Sequence, residues 1–227
     1  MNVDAGKQAA ARASLRFVQE GNIVGLGSGS TAAYAVRFLA ERVRAGLKIR
    51  GIPTSNETRQ LAGSLGIPLT TLDEFQNIDV TIDGADEIDP KLQLIKGGGA
   101  AFLREKIVAS ASRQLVIVAD ATKLVPVLGK APVPVEVIPF AQALVAIEIA
   151  ALGAKVDIRC DSSGKPWTTD EGHHILDCHF GQIPDPPALA RSLEEIPGVV
   201  EHGLFIHMAN VILVGRDSVV QELHAPA

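Results

Sequence analysis

Cysteine and aromatic residues are scarce in this chain, and neither sign of charge dominates it. Its 227 residues hold two cysteines, one tryptophan, one tyrosine and seven phenylalanines. Two cysteines, Cys160 and Cys178, cannot build a disulfide framework, so a reduced, cytoplasmic compartment is expected and both read as small buried apolar groups. Lysine and arginine number 21 against 26 aspartates and glutamates, a formal charge of −5. A chain without a basic excess is not a general nucleic-acid binder, although a few local cations suffice for an anionic small molecule. No apolar run has the length needed to cross a bilayer. Residues 1–16 are polar and helical in character, without the apolar block of a signal peptide. Neither a membrane nor a nucleic acid is therefore an expected partner. At 47% hydrophobic residues the chain is not disordered, and it can bury the core of one or two domains.

What is present is a regular alternation of apolar runs and amphipathic stretches. Residues 7–18 read as a helix. Residues 22–27, Asn-Ile-Val-Gly-Leu-Gly, read as a buried strand entering a tight turn. Ser30 or Thr31 then caps a helix with Ala35, Leu39 and Val43 on one stripe, closed by Gly46. Residues 48–53 are a second strand, and residues 54–57, Thr-Ser-Asn-Glu, open a helix with capping-box spacing. Strands are expected at 78–82 and 114–119, with a helix at 100–112 between them. Near-continuous apolar strands alternating with helices predict an α/β fold, a doubly wound, mostly parallel, Rossmann-like sheet covered on both faces.

From Ala131 the order changes to β-α-β-β-α-β, at 133–138, 140–152, 154–160, 173–180, 186–196 and 199–205. That is the order of a ferredoxin-like α+β unit. A last strand at 210–215 is expected to rejoin the first sheet. The predicted organisation is a catalytic domain of 1–130 plus 206–227 and a smaller domain of 131–205, the latter serving oligomerisation.

Three loops carry candidate chemistry. In "GLGSGST", residues 25–31, glycines allow close backbone approach and the helix start favours an anion, with hydroxyls from Ser28, Ser30 and Thr31. No lysine precedes the Ser/Thr as an ATP-binding loop requires, and Ser30 occupies the third glycine position of a dinucleotide fingerprint. A terminal monophosphate fits best; an ordinary serine-capped glycine turn is the alternative. In "TIDGADEID", residues 81–89, Asp83, Asp86, Glu87 and Asp89 crowd into seven positions. The ligand spacing of a calcium loop is absent, so the run reads as carboxylates accepting sugar hydroxyls, with Glu87 and Asp89 either facing solvent or capping as neighbours of Pro90. In "KGGGAAFLREK", residues 96–106, Lys96 can offset nearby carboxylates or stabilise an oxyanion, and three glycines let N–H groups converge on an oxygen. The apolar stripe of the following helix is read as Leu103, Ile107 and Ala111, which leaves Glu105 well away from it and, taken alone, a solvated glutamate. Lys123, after Asp120 at a strand end, is either a surface lysine or a cation for a substrate.

His173, His174, Cys178 and His179 invite a metal reading, with His174 and Cys178 on one strand face and His179 opposite. Tetrahedral zinc needs three or four convergent ligands, so a polar-edged strand is the preferred reading and no metal is expected.

Taken together, "GLGSGSTA", "DGADEID", "KGGGAAFLREKIVA", "ADATK", "GKAPVPVEVIP" and "IPGVVEHGLF" resemble the type A ribose-5-phosphate isomerases, in the order of that family and across nearly the whole chain. The resemblance implies interconversion of D-ribose 5-phosphate and D-ribulose 5-phosphate through an enediolate, no cofactor, and a homo-oligomer, a dimer or tetramer. It assigns Ser28, Gly29, Ser30 and Thr31 to the phosphate, with Lys7 nearby. It places Asp83, Gly84, Ala85 and Asp86, Lys96, Gly97, Gly98 and Gly99, and Lys123 on the sugar phosphate, and it makes Glu105 the base. Asp83 becomes the candidate for ring opening, and Lys96 and Asp86 for stabilising the intermediate. Two departures stand out: Ser28 replaces the family's usual threonine with its hydroxyl kept, and residues 206–215 diverge. The alternatives are a non-catalytic sugar-phosphate sensor, which would lose the base, and a CoA-transferase-like enzyme, which would need a glutamate nucleophile and a nucleotide groove.

Overall fold

The structure is a computed structural model and describes residues 2–224. In chain order its first elements are α1 (Val3–Ser14), β1 (Ile23–Leu26), α2 (Ser30–Arg44), β2 (Arg50–Pro53), α3 (Asn56–Ser64), β3 (Val80–Asp83), β4 (Glu87–Ile88), β5 (Leu94–Ile95) and α4 (Phe102–Ser110). They are followed by β6 (Leu115–Asp120), β7 (Val133–Val137), α5 (Gln142–Ala151), β8 (Lys155–Ile158), β9 (His174–His179), α6 (Pro186–Glu194), β10 (Val199–His202), β11 (Leu204–Phe205), β12 (Val211–Arg216) and β13 (Val219–His224). The chain divides into two compact units: Met1–Ala85 with Arg104–Lys123 and His207–Ala227, and Asp86–Leu103 with Leu124–Ile206. This differs from the expected 1–130 plus 206–227 and 131–205 in that 86–103, 124–130 and Ile206 group with the second unit. Residues 225–227 of the expected first domain lie outside the described residues.

The first unit is built on one sheet of order β13-β12-β6-β3-β1-β2. Every neighbouring pair is parallel except the β12–β13 hairpin at one edge. Val24, Leu26, Val80, Ile82, Val116 and Val118 pack one face against Ala10 and Ala11 of α1 and Ala35 and Leu39 of α2. The intervening Ile23, Ile52 and Ile78 pack the other face with Val108 of α4. Burial on both faces is why these strands read as apolar runs rather than as alternation. At α3 the cap is Ser55, whose Oγ accepts the Thr58 N–H at 3.0 Å, one residue later than capping-box spacing predicts. Thr54 is still part of the sheet edge, its N–H and Oγ1 both donating to the Leu26 carbonyl. The unexpected strand is β13, whose residues are exposed or half-buried throughout and so carry no core pattern.

The second unit holds a four-stranded antiparallel sheet of order β10-β7-β9-β8, the 4-1-3-2 arrangement of a ferredoxin-like unit. Val133, Val135, Val137, Leu176 and Cys178 form one face and pack on Val145 and Ile149 of α5 and Ala190 and Leu193 of α6. A second sheet, β11-β5-β4, consists of two-residue strands, too short for any periodicity to show in sequence. Cys178 is buried as expected, and burial pushes its thiol up to about 12; Cys160 is exposed, contrary to expectation. Cys160 lies just past the end of β8, an edge strand whose residues are themselves largely exposed.

Candidate active site

Among the parallel strands the order β2-β1-β3-β6-β12 reverses direction between β1 and β3. In open α/β sheets the crevice beyond the carboxyl ends of the strands at such a reversal is where ligands bind. Two of the loops singled out in the sequence meet there. The Asp83 Oδ1 at the end of β3 accepts the Ser28 N–H at 3.1 Å and the Gly84 N–H at 2.7 Å. A Cβ on Gly27 would lie 2.2 Å from that oxygen, so the glycine makes room for the carboxylate. Asp83 is 1% exposed.

Gly29 caps α2, and Ser30 and Thr31 open it. The first-turn N–H groups of a helix have no intrahelical partner, and the helix dipole adds positive character there. Half-buried Lys7, on α1, donates from Nζ to Ser30 Oγ at 3.0 Å, which adds a full cation to the same corner. The Ser28 side chain behaves differently from its neighbours. Its Oγ lies within 2.8–3.1 Å of the hydroxyls of Thr54, Ser55 and Thr58, so it braces the loop against the start of α3. This hydroxyl cluster was not anticipated; a strand end followed by Thr-Ser-Asn-Glu-Thr was its only signal in the sequence.

Glu105 occupies the buried side of α4, contrary to expectation. Phe102, Glu105 and Val108, at 0, 4 and 3% exposure, share the inward face, while Ile107 of the expected stripe is 44% exposed. Burying a carboxylate is expensive, and a helix that places one among its core positions is organised around it. Asp120, at the end of β6, is also buried. Its Oδ1 accepts the Thr122 N–H at 2.9 Å and pairs with the Thr122 hydroxyl, which pins the 3₁₀ turn Ala121–Lys123 that carries Lys123. In the sequence Asp120 is marked only by its place at a strand end.

The remaining candidates belong to the second unit. Asp86 Oδ2 accepts the Gly98 N–H at 2.8 Å, and the Asp86 N–H donates to the Ile95 carbonyl at 2.8 Å. Lys96 is 3% exposed, with Nζ 5.4 Å from the centroid of the Phe205 ring. Gly97 has φ +110°, and a Cβ there would strike Phe102 and Pro134; Gly98 and Gly99 are exposed. Neither Glu87 nor Asp89 faces solvent; Asp89 takes the alternative role of capping the turn around Pro90. Glu87 is 3% exposed and accepts the N–H groups of Gly129 and Ala131 at 2.8 and 2.5 Å. Asp89 is 9% exposed and accepts those of Lys91 and Gln93, both at 2.8 Å. Each of the four carboxylates accepts backbone N–H groups of its own, as buried polar groups require.

The histidine cluster disperses. His173 Nδ1 lies 3.0 Å from Glu136, His174 Nδ1 lies 2.6 Å from Gln142 Oε1, and His179 Nε2 lies 3.4 Å from Asp157. Among the described residues no group of three or more His, Cys, Asp or Glu side chains is arranged to hold a metal ion. Among them too, no helix is long and apolar enough to cross a membrane.

The family model for ribose 5-phosphate isomerase A (phosphoriboisomerase A) matches residues 50–219. The ribose-5-phosphate isomerase A of Parvibaculum lavamentivorans is 53% identical over 223 residues, covering 96% of both chains. That of Rhodopseudomonas palustris strain HaA2 is 55% identical, covering 95% of this chain and 96% of its own. Among solved structures, a D-ribose-5-phosphate isomerase in complex with phospho-erythronic acid superposes with a TM-score of 0.96 at 40% identity, covering 99% of this chain and 100% of that one. The ribose 5-phosphate isomerase A of Methanocaldococcus jannaschii gives a TM-score of 0.92 at 42% identity, covering 96% and 97%.

Proposed function

The chain belongs to the ribose 5-phosphate isomerase A family, and on that premise we propose how its residues carry out the interconversion of D-ribose 5-phosphate and D-ribulose 5-phosphate. Neither a sugar-phosphate sensor nor a CoA-transferase is favoured, since the well-covered relatives are isomerases by name.

The reading is carried by one observation: a built anion corner, with Lys7 on Ser30 at the start of α2, beside the buried Asp83 carboxylate at the sheet's point of reversal. The substrate's phosphate sits on Ser28–Thr31, where it contacts the N–H groups of Gly29, Ser30 and Thr31 and the hydroxyls of the last two. Ser28 shapes the loop, its N–H donating to Asp83 and its hydroxyl lying on those of Thr54, Ser55 and Thr58. Gly84 and Ala85 present their backbone to the sugar, and Lys123 binds the substrate as a cation. Asp83 moves the proton between ring oxygen and anomeric hydroxyl that opens the ring. Glu105 takes the proton from C2 and returns it to C1, while the O2 hydroxyl proton passes to O1, so that the carbonyl moves from C1 to C2; one base serves both because the carbons are neighbours. The negative charge that develops on the enediolate oxygens is met by Lys96 and by the N–H groups of Gly97 and Gly99, while Asp86, held by the Gly98 N–H, accepts the remaining hydroxyl of the intermediate. Each step is a proton transfer, so no hydride carrier or electron sink enters.

General-base catalysis contributes about 10²–10⁴-fold, and preorganised donors at a developing oxyanion contribute a comparable or larger factor. Phosphate binding does no chemistry; it holds C1 and C2 at the base, so its loss lowers turnover as well as affinity. Phospho-erythronic acid, bound by a relative, is expected to compete with substrate here as well. The test compares wild type with Glu105→Gln, both assayed in chelator. Wild type is expected to turn over, and the variant to lose at least about a hundredfold in kcat while still binding phospho-erythronic acid. Equal turnover of the two would remove Glu105 from its role.

We further infer a cytoplasmic homo-oligomer, a dimer or tetramer, assembled through the second unit. Phe140, Leu144 and Ile147, on α5 and the turn before it, are 99, 57 and 68% exposed, an apolar face of the kind that marks an interface.

A further inference from the structure

Arg159, just beyond β8, belongs to none of the motifs that carry the resemblance. Its guanidinium is spent in full view of the glycine loop. Nε donates to Asp177 Oδ2 at 3.0 Å and Nη2 pairs with Asp177 Oδ1, a two-pronged contact, while Nη1 donates to the Gly97 carbonyl at 2.7 Å. The two side chains are 16% and 19% exposed, so the pair is largely withdrawn from water. The Gly97 carbonyl also accepts the Ala100 N–H at 3.0 Å, so both of its lone-pair directions are occupied.

The consequence follows from the planarity of the peptide bond. A trans peptide points its C=O and the N–H of the next residue in opposite directions. Holding the Gly97 oxygen on Arg159 therefore aims the Gly98 N–H the other way, and that N–H donates to Asp86 Oδ2 at 2.8 Å. Glycine on both sides gives this peptide little resistance to flipping, so its orientation has to be imposed from outside. A planar guanidinium can grip both oxygens of a carboxylate and still present a third donor, which a lysine cannot.

We propose that Arg159, fixed by Asp177, is a positioning residue that sets the Gly97–Gly98 peptide and through it the Asp86 carboxylate. The inference rests on the reading in which Asp86 acts during turnover. It is tested with Arg159→Met, Asp86→Asn and the double variant. The readouts are kcat and KM for D-ribose 5-phosphate and competitive inhibition by inorganic phosphate, which reports the phosphate loop separately. Arg159→Met is expected to lower kcat about tenfold or more with phosphate inhibition within about twofold of wild type. The double variant is expected to be no slower than Asp86→Asn, because one effect passes through the other. Losses that multiply in the double variant, or an unchanged kcat in Arg159→Met beside a slow Asp86→Asn, would overturn the positioning role. A wild-type kcat in Asp86→Asn would overturn the underlying reading of Asp86 and the inference with it. Should Arg159→Met fail to fold, Arg159→Lys keeps the charge but not the fork. It is expected to lose at least about threefold in kcat, and full activity in it would be equally fatal.

Discussion

At the scale of single residues, the acidic stretch from Asp83 to Asp89 shows how charge is made affordable by backbone. Asp83, Asp86, Glu87 and Asp89 accept N–H groups from Ser28 and Gly84, from Gly98, from Gly129 and Ala131, and from Lys91 and Gln93. Four neighbouring carboxylates thereby do different work. Glu87 and Asp89 fold loops, while Asp83 and Asp86 border the loops proposed to hold substrate. Gly27 belongs to the same account. In the sequence it reads as freedom for a ligand to approach, whereas in the structure the close approach is made by Asp83 itself. Gly27→Ala would drive a methyl group into that carboxylate. It is expected to lower kcat by about tenfold or more, with a folded chain by circular dichroism, since overpacking of this kind costs about 1–3 kcal/mol. Wild-type turnover in Gly27→Ala would show that the position of Asp83 is not critical.

At the scale of elements, α1 and α4 each carry one side chain of the proposed site. Helix α1 lies against β12 through two glycines: a Cβ on Gly6 would be 2.6 Å from the Gly215 carbonyl oxygen. The Asp4 carboxylate accepts the Tyr34 hydroxyl of α2 at 2.7 Å. That hydrogen bond holds Asp4 below the usual carboxylate range and Tyr34 above the usual phenol range. The next residue after Gly6 is Lys7, on Ser30. Gly6→Ala must lift α1 from the sheet, so inhibition by inorganic phosphate is expected to weaken about threefold or more. Unchanged inhibition would mean that Lys7 reaches Ser30 without the close packing. In α4 the inward face runs through Glu105, which hides that face in the sequence: apolar periodicity marks a buried stripe only where the buried positions are apolar. The two-residue strands β4, β5 and β11 escaped for a simpler reason, having too few residues to show any period.

At the scale of the whole molecule, the proposed assembly makes its own prediction. Phe140→Asp with Ile147→Asp places two charges on the exposed apolar face of the second unit, and sedimentation is expected to show a monomer for the variant and a dimer or tetramer for the wild type. Identical sedimentation of the two would move the interface elsewhere.

What the sequence determined by itself was what lies along the chain. The apolar runs announced a doubly wound sheet, the β-α-β-β-α-β order announced the ferredoxin-like unit, and glycine, hydroxyl and carboxylate motifs marked the loops where strands end. What only the tertiary structure decided was which way side chains and peptides point. Ser28 turns its hydroxyl inward, Glu105 lies on a buried face, Cys160 stands exposed at a sheet edge, and Arg159 reaches Gly97 from 62 residues away. The division has a physical cause. Periodicity and turn chemistry are local properties and are written in neighbouring residues, whereas the partner of a hydrogen bond is chosen by packing among segments far apart in the chain.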